Sequence, residues 1–162
     1  MSELHLGIVM DPIDSITPAK DSSLAMLLEA QQRGWKISYF ELDDLRISNG
    51  EARGSARSLS VKDNNNQWFK LGPAHDIALS ELDVLLMRKD PPFDMEYIYA
   101  TYILERAEAE GVLIVNKPQS LRDMNEKAFT AWFPQCCPDT LITRSMNDMR
   151  KFLQEHGRAV VK

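Results

Sequence analysis

Cysteine and excess positive charge are both scarce in this 162-residue sequence. It holds two cysteines, and they are neighbours, Cys136 and Cys137. Adjacent cysteines seldom bridge each other, and no third is present to build a disulfide framework. That usage points to a reducing compartment. Lysine and arginine together number 19 against 24 aspartates and glutamates, a net charge of −5. There is no basic tract. Nucleic acid and anionic membrane surfaces are therefore not expected as partners, because neutralising phosphates requires clustered cations. The apolar runs are far too short to span a bilayer. Residues 1–10, MSELHLGIVM, have neither a basic start nor a long apolar core, so no signal peptide is expected and the expected location is cytoplasmic. No GxGxxG follows the first apolar run, which removes the main support for dinucleotide binding. His5, His75 and His156 lack ligand-like spacing, and the cysteine pair has no histidine at usable distance in sequence. Neither a zinc site nor a Cys–His nucleophile is expected.

What is present is the balance of a globular protein, 44% apolar and 27% charged, in a chain long enough to bury a core without staples. Short apolar runs alternate with helical patterns. Leu6 to Met10 reads as a buried strand closed by Asp11-Pro12. Residues 21–34 give an N-cap candidate, an apolar face and a glycine stop. Trp35 to Leu42 reads as a second strand. Residues 43–78 are polar and turn-rich, with Asn49-Gly50 as a strong turn signal. Within them Ala56 to Lys62 alternates like a strand, and Trp68 to Leu71 suits a return strand. The stretch reads as an excursion between core elements. Val84 to Met87 is a buried strand that runs into Arg88-Lys89-Asp90-Pro91-Pro92. A helix follows over Met95 to Gly111, with Tyr97, Ile98, Thr101, Tyr102, Leu104 and Ala107 on its apolar side, and then a strand over Leu113 to Val115. Strands alternating with helices imply parallel pairing with crossover helices, an α/β domain of Rossmann-like build. Beyond it the pattern predicts a short helix over Asn125 to Phe133, a strand over Asp139 to Arg144, a helix from Ser145 to His156 and a strand over Arg158 to Lys162. A chain that stops on an incoming strand reads as an N-terminal fragment with its second domain cut short.

Three places carry candidate chemistry. Open parallel sheets bind ligands beyond the carboxyl ends of their strands, where Arg88 stands. A guanidinium there can grip a carboxylate through two parallel hydrogen bonds, or it can be a structural partner of Asp90 or Asp94. Asp11 and the helix start at Lys20, Asp21, Ser22 and Ser23 offer an anion cradle, or plain helix capping. Lys127 and Lys162 are ordinary surface lysines by pattern. Lys117-Pro118 after a strand suggests a phospho-receiver domain, but Met87-Arg88 stands where a phosphoacceptor aspartate is needed, which excludes that reading.

Several strings are more specific: GIVMDPI (7–13), KDSSLAMLLEAQQRG (20–34), NGEARG (49–54), LLMRKDPPFDMEYIYATYILERAE (85–108) and LIVNKPQSLRDMNEKAF (113–129). They closely resemble the N-terminal half of the bacterial glutathione synthetases, in order and over essentially the whole sequence. That resemblance implies an ATP-grasp carboxylate–amine ligase. Such an enzyme joins γ-glutamylcysteine to glycine through an acyl phosphate, using ATP with magnesium or, as the alternative, manganese. It implies a substrate-binding pre-ATP-grasp domain over residues 1–122 and the truncated start of an α+β ATP-grasp domain over 123–162. It implies a homo-oligomer. By position in the matching strings, Arg88 meets the peptide substrate, with Asp11, Ser22 and Ser23 as further wall residues, and Lys127 and Lys162 reach the ATP phosphates. The glycine-rich lid and the magnesium ligands of the family match nothing in these residues, so activity of this stretch alone is not expected. From the residues alone, a non-catalytic module for a small anion or a partner chain and an ATP-grasp ligase with another acceptor stay open.

Overall fold

The computed structural model describes residues 4–90, 92–124 and 127–162. The chain divides into two compact units, Met1–Arg122 and Asp123–Lys162.

In the first unit, β1 (His5–Val9) and β2 (Lys36–Phe40) pair in parallel, as do β1 and β6 (Val84–Met87), and β6 and β7 (Leu113–Val115). The crossovers are α1 (Ser22–Gln32) and α2 (Met95–Ala109), on opposite faces of the sheet. Strand periodicity divides the side chains between them. Leu6 and Ile8 pack with Leu24, Leu27 and Ala30 of α1. Val9, Phe40 and Leu85 pack with Tyr97, Ala100, Leu104 and Ala107 of α2. Leu27 and Leu104 are fully buried, each contributing roughly 1.5–3 kcal/mol relative to exposure. The expected apolar face of α2 is largely the buried one. Tyr102 is the exception: it is exposed, with the Arg122 guanidinium 4.6 Å above its ring.

Residues 43–78 are not an excursion. They form β3 (Leu45–Ser48), β4 (Glu51–Val61) and β5 (Phe69–Ala78), and β4 pairs antiparallel with β2, β3 and β5, so the segment extends the same seven-stranded sheet. Asn49 and Gly50 make the tight β3–β4 turn with φ of 52° and 82°, the left-handed geometry that Asn-Gly favours. Ala52 and Ala56 of β4 face the α2 core, whereas Leu59 and Val61 face the α1 core, so one strand closes both layers. Its small residues make room for Phe40; a Cβ on Gly54 would sit 2.6 Å from that ring. Gln31 ties α1 to β4 with a reciprocal pair of 2.7 Å bonds to the Val61 backbone.

His5 links β1 to β2 through a 2.8 Å contact between Nε2 and the Ser38 hydroxyl. Burial, and then the charge of Lys36, hold its imidazole below the ordinary value of 6.5. The folded state therefore favours the neutral ring, and the unfolded state takes up its proton first. The stability contributed by this site is complete above pH 6.5 and declines as pH falls through the lower folded value. His156 is shifted upward, chiefly by the Phe152 carbonyl, so it acts in the opposite sense. An NMR titration of His5 is expected to show a midpoint below 6.5, and His5→Gln should remove its share of the acid-side loss. A midpoint at or above 6.5 would contradict this placement.

The second unit holds a helix over Met146–His156, which starts as expected: the Ser145 hydroxyl accepts the Asp148 N–H, and Gly157 ends it at φ 73°. The helix expected over Asn125 to Phe133 is a 3-10 turn over Ala128–Trp132; Asn125 and Glu126 lie outside the described residues, as does Pro91. The segments 139–144 and 158–162 form no strand. An extended segment becomes a strand only when a neighbour takes its hydrogen bonds. Among the described residues nothing pairs with either, and Ile142, Val160 and Val161 are exposed. Lys162 therefore stands in unpaired chain, not at a strand end.

Candidate functional site

The register of the sheet sets the site. Val9 pairs with Met87 across β1 and β6, and the Arg88 N–H continues the ladder onto the Val9 carbonyl at 2.7 Å. Arg88 thus emerges beyond the carboxyl ends of two parallel strands, beside Met10 and Asp11. The chain leaving β1 returns as α1, which brings the start of that helix to the same end of the sheet. The loop between them is pinned: Ile13 N–H donates to the Tyr39 hydroxyl at 3.1 Å, and Trp68 Nε1 donates to the Ile13 carbonyl at 3.0 Å.

Capping and contact with Arg88 fall to different residues at the α1 start. Asp21 is the cap, its Oδ1 accepting the Leu24 N–H at 2.7 Å. That leaves both serine hydroxyls free for Arg88, whose Nε donates to Ser23 Oγ at 3.1 Å and Nη2 to Ser22 Oγ at 2.8 Å. Neither suspected acid neutralises Arg88. Asp94 caps α2 through the Tyr97 N–H at 3.0 Å, and the Asp90 backbone N–H donates to Asp11. No carboxylate among the described residues is within ion-pair distance of the guanidinium. Hydroxyls orient a guanidinium but do not cancel its charge, so Arg88 keeps an unbalanced cation beside the positive end of a helix dipole.

These groups line a polar cleft of about 490 Å³ that contains Arg88, Ser22, Ser23 and Asp11, together with Thr17 and Lys20. The first four are the expected peptide-site residues, brought together from three chain segments. Lys20 opens the expected helix-start cradle, whereas nothing in the spacing of Thr17 marks it. A larger hollow of about 600 Å³, walled by residues such as Leu6, Met26, Trp35 and Leu86, is apolar and offers little chemistry. Lys127 and Lys162 belong to the second unit, and both are exposed. Lys127 precedes the 3-10 turn, and its carbonyl accepts the Thr130 hydroxyl at 2.5 Å. Among the described residues no group of three or more His, Cys, Asp or Glu side chains is arranged to hold a metal ion, and no helix is long and apolar enough to cross a membrane.

The family model described as prokaryotic glutathione synthetase, N-terminal domain, matches residues 4–122, and that described as prokaryotic glutathione synthetase, ATP-grasp domain, matches residues 126–162. Proteins named glutathione synthetase from Yersinia pestis and Photorhabdus laumondii are each 60% identical over 159 residues, covering 98% of this chain and 50% of the relative. The one from Escherichia coli K12 is 58% identical over the same span. The chain spans about half the length of the curated relatives it matches.

Proposed function

We propose a function from one premise: the chain belongs to the prokaryotic glutathione synthetase family. It is the N-terminal part of a cytoplasmic, homo-oligomeric, ATP-dependent ligase that joins γ-glutamylcysteine to glycine. Residues 1–122 are its substrate-binding domain, and residues 123–162 open its ATP-grasp domain. The observation that carries this reading is the Arg88 guanidinium, held by two hydroxyls at a helix start and paired with no carboxylate among the described residues.

A free carboxylate is a poor electrophile, and ATP supplies the phosphoryl group that activates it. This chain's residues answer the electrostatic demands on either side of that step. Arg88 orients an anionic group of γ-glutamylcysteine, while Ser22, Ser23 and Asp11 form the wall around it. The Ser22 and Ser23 hydroxyls fix the guanidinium plane before the ligand arrives, so little side-chain entropy is lost on binding. Lys127 and Lys162, both exposed cations, contact the ATP phosphates and offset negative charge as it gathers. The described residues offer no cluster fit for magnesium.

The test is ADP release by the longer protein that contains this chain. Supplied with γ-glutamylcysteine, glycine, ATP and magnesium, it should release ADP, and release should fall to background when γ-glutamylcysteine is withheld. No ADP with all components present would end the proposal.

A further inference from the structure

Strand β6 hands two cations to the cleft end of the sheet, and the structure treats them differently. Lys89 Nζ lies 2.8 Å from Asp11 Oδ1 and donates to the Asp90 carbonyl at 2.6 Å. The other oxygen of Asp11, Oδ2, accepts the Asp90 backbone N–H at 3.0 Å. One carboxylate at the end of β1 thus holds both residues that follow Arg88. The side chains of this pair are only 18% and 34% exposed, so salt and side-chain entropy erode it less than a surface pair. On its other side Arg88 is held by the β1–β6 ladder through the Val9 carbonyl. Its backbone is gripped before and after, which leaves the guanidinium to settle on Ser22 and Ser23.

We infer that Asp11 is a positioning residue: it cancels Lys89 and fixes the 89–90 backbone, so that β6 delivers one oriented, uncompensated cation to the cleft instead of two mobile ones. The inference deepens the proposed substrate site and takes its ligand from that reading. Its primary readout needs no ligand.

The experiment compares the 162-residue chain with Asp11→Ala and Asp11→Asn. Exchange of the Arg88 Nε–H, which is held on Ser23, is followed by NMR beside the amides of the β1–β6 ladder, since exchange separates local from global opening. In Asp11→Ala the Arg88 Nε–H should exchange about tenfold faster or more, with the ladder amides unchanged, and the dissociation constant for γ-glutamylcysteine should rise at least about tenfold. Asp11→Asn keeps an acceptor for the Asp90 N–H and should fall between the two. If Asp11→Ala does not fold, Asp11→Asn alone carries the test and must still exchange faster than wild type. Arg88 Nε–H exchange equal to wild type in both variants overturns the inference. Failure of the wild type to bind γ-glutamylcysteine counts against the proposed function alone.

Discussion

Phe40→Ala is expected to cost about 3–5 kcal/mol of folding free energy, the range for removing a buried aromatic from a well-packed core. The ring is fully buried and joins β1, β6 and α2 in one core cluster. It also packs so closely on β4 that no Cβ fits at Gly54. The cavity cannot collapse readily, because its walls are strands fixed by ladders on both sides. A domain of this size has about 5–15 kcal/mol in total, so the variant should lie near or beyond the edge of folding. Urea denaturation checks this: the midpoint should fall sharply with the slope unchanged. Met95→Ala, at a position 61% exposed, should stay within about 0.5 kcal/mol of wild type. Comparable losses at the two positions would mean that the core is misplaced.

Arg88→Ala is the second large effect, and it falls on binding. A hydrogen bond to a charged group contributes about 1.5–3 kcal/mol, which corresponds to a loss of roughly 10- to 150-fold in affinity for γ-glutamylcysteine. Arg88→Lys should recover only part of it. A lysine keeps the charge but cannot hold two serines and a carboxylate in one plane. Folding stability should change little, because the side chain is partly exposed and is bonded to hydroxyls that water can satisfy. Calorimetric titration of each variant measures the loss directly. Equal affinity in wild type and Arg88→Ala would make Arg88 structural.

Local signals made much of this legible in the sequence. The apolar runs at Leu6–Met10, Val84–Met87 and Leu113–Val115 hold the parallel strands, the first two largely buried and the last with only Ile114 buried, the Asn49-Gly50 turn is where its chemistry places it, and Ser145 caps the Met146–His156 helix. Non-local pairing was not legible. Nothing in residues 51–61 announces that they lie against β2, since alternation specifies a half-buried strand but not its neighbour. For the same reason residues 139–144 and 158–162 look like strands yet pair with no strand among the described residues. At the site, Arg88 could be marked by its place after an apolar strand. Its two serines lie 65 and 66 residues away in sequence, and Lys89 meets Asp11 only because β1 and β6 run side by side in register. The choice between a structural and a free arginine thus needed the structure. Asp94 caps α2 instead of meeting Arg88, and among the described residues no carboxylate lies within ion-pair distance of the guanidinium.

The central claim is that the end of β6 and the start of α1 form the seat of the dipeptide. Titrating γ-glutamylcysteine into the isotopically labelled chain and mapping the shifted NMR signals tests it most directly. The account predicts that the largest changes cluster at Asp11, Thr17, Lys20, Ser22, Ser23 and Arg88, with the Arg88 Nε–H among them. Changes centred on the apolar hollow beside Met26 and Trp35, or no saturable change anywhere, would contradict it.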